Sequence, residues 1–137
     1  DTARLSSAGA LKVVWLQTDS NGEGVGINTA LACFDNYDTL VVEGNSLLRV
    51  RDADVAVLVA TPSVKKMKRS ARLLLNKIDL VAINVHAEDT LEQIRECKSE
   101  LGDLYCRGVP FFMINPYKDD TDSNRALIEK IRDFLSD

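Results

Sequence analysis

Apolar residues gather in short runs separated by polar stretches, and the runs alternate between two periods. Residues 11–17, 39–43, 54–60, 79–84 and 109–115 are brief, β-branched or aromatic, and bounded by Gly, Pro, Asn or Asp, which predicts five strands. Run 54–60 is apolar almost throughout rather than alternating, so both its faces are expected to be covered. Between the runs the spacing turns helical. Residues 2–9 predict a short helix ending at Gly9 as a C′ glycine. Ile27, Leu31 and Phe34 mark a helix over 27–34, and Leu47, Leu48 and Val50 a short connection. Ala71, Leu74, Leu75 and Ile78 give the inner face of a helix from a Ser63 cap to about Ile78. Glu88-Asp89 opens a helix with acids in its first turn, its stripe running through Leu91, Ile94, Leu101 and Leu104. Leu127, Ile131, Phe134 and Leu135 face inward on a last helix. Trp15 is expected to pack between layers.

The order αβαβ(α)βαβαβα predicts one α/β domain over 1–137, three-layered, with a mostly parallel five-stranded sheet and helices on both faces. Right-handed crossovers bring 18–26, 43–46, 61–63, 84–88 and 115–118 to one edge. Ligands of open α/β sheets bind at that edge.

Composition narrows the partners. Of 137 residues, 45% are apolar and 28% charged, with a net charge of −4 and a pI near 5.0. That balance argues against a nucleic-acid partner, which requires a basic face. No apolar run approaches the ~20 residues of a membrane span. Cys33, Cys97 and Cys106 are odd in number with no CxxC, which fits a reducing compartment and predicts a cytoplasmic protein. A metal site from Cys97, Cys106 and His86 matches no zinc template.

Four stretches carry candidate chemistry. Gly22-Glu23-Gly24-Val25-Gly26 lies between a strand and a helix, where backbone amides approach phosphates, but it is neither GxGxxG nor GxxxxGK[ST] and reads as a loop. Asn76-Lys77-Ile78-Asp79 spells the guanine-reading NKxD yet precedes its strand instead of following it. The topologically matching residue is Asn84, with Ala87 where the Asp would stand; Asn84 reads as a base contact or as a loop cap. Lys65, Lys66, Lys68 and Arg69 crowd the start of a helix, where the macrodipole disfavours cations, so they either meet an anion or splay into solvent. Glu43, at the tip of 39–42, is the strongest candidate: an acid there can balance a metal at the sheet edge or orient a water. Its bland alternative is the first solvated residue of a loop.

Asp1-Thr2-Ala3-Arg4 with Ala8-Gly9-Ala10, then Val13-Val14-Trp15-Leu16, Leu40-Val41-Val42-Glu43-Gly44-Asn45-Ser46 and Ala53-Asp54-Val55-Ala56-Val57-Leu58-Val59 resemble a known series. They look like the later portion of small phosphate-loop NTPases related to the molybdopterin-guanine-dinucleotide biosynthesis accessory protein. More distantly they resemble the GTPases of nickel insertion. The likeness spans roughly residues 1–85. It implies GTP or ATP with Mg²⁺, and binding with hydrolysis in support of molybdenum-cofactor or metallocentre assembly. Glu43 would be catalytic and hold Mg²⁺ through water; Gly44, Asn45, Asn84 and Asp1 would line the nucleotide site. It also implies a protein partner and admits a homodimer. Nothing within 1–137 matches GxxxxGK[ST], which in the family precedes the Asp-Thr segment. The chain is therefore expected either to be completed by that unit or to be a degenerate, catalytically silent interaction module. A flavodoxin-like enzyme acting on a small molecule is a third class, and no residue favours it.

Overall fold

Val57–Ala60 (β1), Leu80–Asn84 (β2) and Phe111–Ile114 (β3) pair side by side in that order, every pair parallel. The register sets Val59, Ala82 and Phe112 on one face, and Leu58, Val81 and Phe111 on the other. β2 is central, and its side chains Leu80, Val81, Ala82 and Ile83 are at most 1% exposed. Burial on both faces is what an apolar run without alternation requires of a parallel strand. Ala56, Pro62, Leu74, Ile78, Leu101 and Leu104 are the other buried side chains described in this unit, Asp52–Asp137. A second compact unit comprises Asp1–Arg51. The computed structural model describes residues 2–19, 21–62, 67–118 and 121–136.

The sheet has three strands where five were expected. Residues 11–17 and 39–43 form no strand, and among the described residues no backbone hydrogen bond joins either run to a neighbour. β-propensity reflects the fit to a pleated, partly buried surface. Without a ladder partner the pattern alone makes no strand. Val13 is half-buried, and their other apolar side chains are exposed: Leu11 is 89% exposed, Val41 84%, and Trp15, expected between layers, 72%.

In unit Asp1–Arg51 the helices are Thr2–Ser7 (α1), Glu23–Ala32 (α2) and Leu47–Val50 (α3). α1 ends as its sequence predicts. Gly9 has φ +100°, and its N–H and that of Ala10 donate to Ser6 O and Leu5 O, closing a Schellman motif. α2 begins at Glu23, four residues before the expected Ile27.

In the sheet-bearing unit, the helix expected over 63–78 appears as Arg69–Arg72 (α4) and a 3₁₀ turn at Leu75–Lys77; Ser63, Lys65 and Lys66 lie outside the described residues. Leu74 and Ile78 are buried as expected. Arg107 donates to the carbonyls of Leu75 at 2.7 Å and Asn76 at 3.2 Å, tying the end of the 3₁₀ turn to the end of the later helix region. Leu91–Glu100 (α5) and Gly102–Cys106 (α6) follow. α5 starts after Thr90, not at Glu88, because Thr90 and Gln93 form a reciprocal capping box. Leu91 thereby falls in the exposed first turn, 74% accessible, while Leu101 and Leu104 are buried. Asp122–Ser136 (α7) packs on β3 through the half-buried Leu127, Ile131 and Phe134; Leu135 is exposed. Among the described residues no helix is long and apolar enough to cross a membrane.

Candidate functional site

Because all three strands run the same way, Ala60, Asn84 and Ile114 end at one edge, with Asn84 opposite Ile114. The ladder continues one step through Val85 N–H to Ile114 O at 2.9 Å. Beyond it two loops diverge and enclose a hollow of about 490 Å³ lined by His86, Ala87, Glu88, Asn115, Tyr117 and Lys118. Each loop is held by its own side chains. Asp89 Oδ2 accepts the N–H of His86 at 2.7 Å, and Asn115 Oδ1 accepts that of Tyr117 at 3.0 Å. The His86 and Tyr117 rings lie 5.4 Å apart and tilted by 47°. Two aromatic faces, an amide, a carboxylate and an ammonium group thus share one open concavity.

Asn84 is half-buried at the root of the first loop. Its Oδ1 is fully buried, and it has no hydrogen-bond partner among the described residues. An orphaned buried acceptor costs roughly 1–3 kcal/mol.

The remaining sequence candidates lie in unit Asp1–Arg51. Glu43 and Gly44 are exposed and border a larger hollow of about 830 Å³, walled by 9–18, 39–44 and part of α2. Among the described residues the Glu43 carboxylate makes no hydrogen bond or ion pair. Gly44 has φ +131°, and Asn45 is half-buried. Asp1 lies outside the described residues. We take the smaller hollow as the candidate site because it lies beyond the carboxyl ends of parallel strands, where open α/β sheets bind ligands.

The glycine-rich stretch is the start of α2 rather than a loop. Asp19 Oδ1 accepts the N–H groups of Asn21 at 3.0 Å and Gly22 at 2.7 Å, occupying amides that an anion would need. Gly26 permits close approach: a Cβ there would meet Leu16 Cδ1 at 3.2 Å. Glu23 went unnoticed in the sequence. Its carboxylate accepts from Ser46 Oγ at 2.5 Å and from Arg49, linking the first turn of α2 to α3. An acid at the first position of a helix was the available signal.

The NKxD stretch is structural, as its position before the strand implied. Lys77 pairs with Asp52 at 2.8 Å, and Asp79 Oδ2 accepts the N–H of Ala56 at 2.8 Å, aligning the approach to β1. Among the described residues no three His, Cys, Asp or Glu side chains are grouped to hold a metal. Burial, then the charges of Glu100 and Asp89, push the Cys97 thiol up, which keeps it neutral and a poor ligand or nucleophile.

Comparison with protein-family models, with curated proteins and with solved structures returns no match to this chain.

Proposed function

We propose that the chain contributes a nucleotide-binding α/β unit, in which the base of GTP or ATP occupies the hollow at the carboxyl edge of the sheet. The observation that carries this reading is the placement of that hollow beyond β2 and β3, where open parallel sheets bind ligands. His86 and Tyr117 offer ring faces for a purine, and base stacking contributes roughly 1–3 kcal/mol. Asn84, at the root of the first lining loop, is given a base contact by the resemblance alone, since its Oδ1 is buried and the residue does not line the hollow. Lys118 offers a cation to a phosphate.

The resemblance to phosphate-loop NTPases extends the proposal to hydrolysis with Mg²⁺ and to service in molybdenum-cofactor or metallocentre assembly, with nucleotide binding gating a protein partner. Glu43 fits the Mg²⁺ role in one respect: its carboxylate is exposed and uncommitted among the described residues. Mg²⁺ is usually held by one or two carboxylates together with substrate phosphates and waters, so a single free acid suffices only when nucleotide is bound. When bound, the ion supplies charge neutralisation at the phosphates. The resemblance would give Glu43, which belongs to unit Asp1–Arg51, the role of holding that ion through a water and orienting the attacking water. Glu43→Gln should abolish hydrolysis of GTP or ATP while leaving the circular dichroism spectrum and melting temperature unchanged; an unchanged rate would remove Glu43 from the chemistry.

A second reading, a catalytically silent interaction module, is favoured by 11–17 and 39–43. Their exposed apolar side chains and unladdered backbones present the groups that a partner strand takes up. Such a module has no use for Mg²⁺-nucleotide, and a calorimetric titration with GTP and ATP separates the two.

A further inference from the structure

We propose that Asn124, in the first turn of α7, is the positioning residue of the hollow at the carboxyl edge, a role that rests on the nucleotide reading above. Three of the six lining residues, Asn115, Tyr117 and Lys118, belong to the loop after β3. That loop hangs from the Asn124 side chain. Asn124 Oδ1 accepts the N–H of Asn115 at 3.2 Å, and its Nδ2 donates to the carbonyls of Asn115 at 3.1 Å and Lys118 at 3.0 Å. Asn115 passes the constraint on, its own Oδ1 accepting the N–H of Tyr117. One planar amide therefore fixes both ends of the segment that carries the Tyr117 ring to its place beside His86.

The chemistry restricts the residue. Two donors and an acceptor on one short side chain are the inventory of Asn, whereas ionised Asp only accepts. Asn124 is itself anchored, its N–H donating to Thr121 Oγ1 at 3.2 Å and its helix packing on β3. Stapling a loop is an ordinary task for Asn near a helix start. Here the stapled residues form half of a candidate binding site, and Tyr117 is 77% exposed, so the constraint serves the wall of the hollow rather than the core.

The test is a mutant cycle read by calorimetric titration of GTP and ATP with Mg²⁺. Asn124→Asp keeps the side-chain shape, removes both donors and sets a carboxylate against two carbonyl oxygens. Affinity should fall about tenfold, as expected for the loss of hydrogen bonds of ordinary strength. In a Tyr117→Ala background the same substitution should cost less than in the parent, because one of the three lining residues it positions is gone. Thr90→Ala, which removes the cap of α5 and leaves the bonds of this loop in place, should lower the melting temperature and spare affinity. Should the new charge prevent folding, Asn124→Ser, too short to span the loop, gives the same comparison. Unchanged affinity in Asn124→Asp, or equal losses with and without Tyr117, would overturn the positioning role while the nucleotide reading stands. A parent protein that binds neither nucleotide overturns both.

Discussion

Two adjacent residues of β2, the buried Ile83 and the half-buried Asn84, ask opposite things of their surroundings. Ile83 is fully enclosed and contributes by removal from water. Asn84 brings a carbonyl oxygen into the same interior without a donor. Removing an acceptor that has no partner strands nothing. Asn84→Ala should therefore change unfolding free energy by less than about 1 kcal/mol while weakening nucleotide binding. Leu104→Ala, at a fully buried apolar position, should cost about 2–5 kcal/mol. Urea denaturation of the two variants gives the comparison, and a large loss for Asn84→Ala would show its amide to be satisfied by the fold. Asn84 was legible in the sequence as a residue at a strand tip. Its orphaned oxygen was not, because burial of one atom depends on the register with β3. Asn124 and Glu23 escaped for a related reason: each acts on residues whose proximity the sequence does not encode locally.

Elements were legible where one stretch contained its own cause. The Schellman close of α1 at Gly9 and the inward stripe of α7 follow from local pattern, whereas the burial on both faces expected of 54–60 is not met, since Val59 of β1 is 63% exposed. Boundaries failed where a side chain several residues away decided them. Thr90 and Gln93 start α5 later than its acids suggest. Asp19 caps the turn that turns a glycine-rich stretch into the first turn of α2. The two missing strands failed for a third reason, since a ladder needs a partner that alternation cannot guarantee. The capping box supports a direct prediction: Thr90→Ala should destabilise the protein by about 1 kcal/mol, measured by chemical denaturation. Because Asp89 still tethers His86 through its backbone, nucleotide affinity should stay within about twofold, a change worth only ~0.4 kcal/mol.

At the scale of the molecule, the two units are unequally built. Asp52–Asp137 holds a parallel sheet with a continuous buried strand, whereas in Asp1–Arg51 Ile27 alone among the described residues is buried. A unit with one buried side chain has little to offset the entropy of ordering its chain. Its apolar runs are therefore the surfaces most receptive to added contacts, which is the physical content of the interaction-module reading. The sheet-bearing unit carries the polar hollow, and nucleotide binding is proposed there.

The most direct measurement is the melting temperature of the chain with and without Mg²⁺-GTP or Mg²⁺-ATP. A ligand at about a hundred times its dissociation constant adds roughly 2.7 kcal/mol to the folded state, a shift of several degrees for a chain of this size. The nucleotide-binding proposal predicts such a shift with at least one of the two nucleotides, reduced by Tyr117→Ala and by removal of Mg²⁺. Identical melting curves at millimolar nucleotide would contradict it and leave the interaction module as the function these residues support.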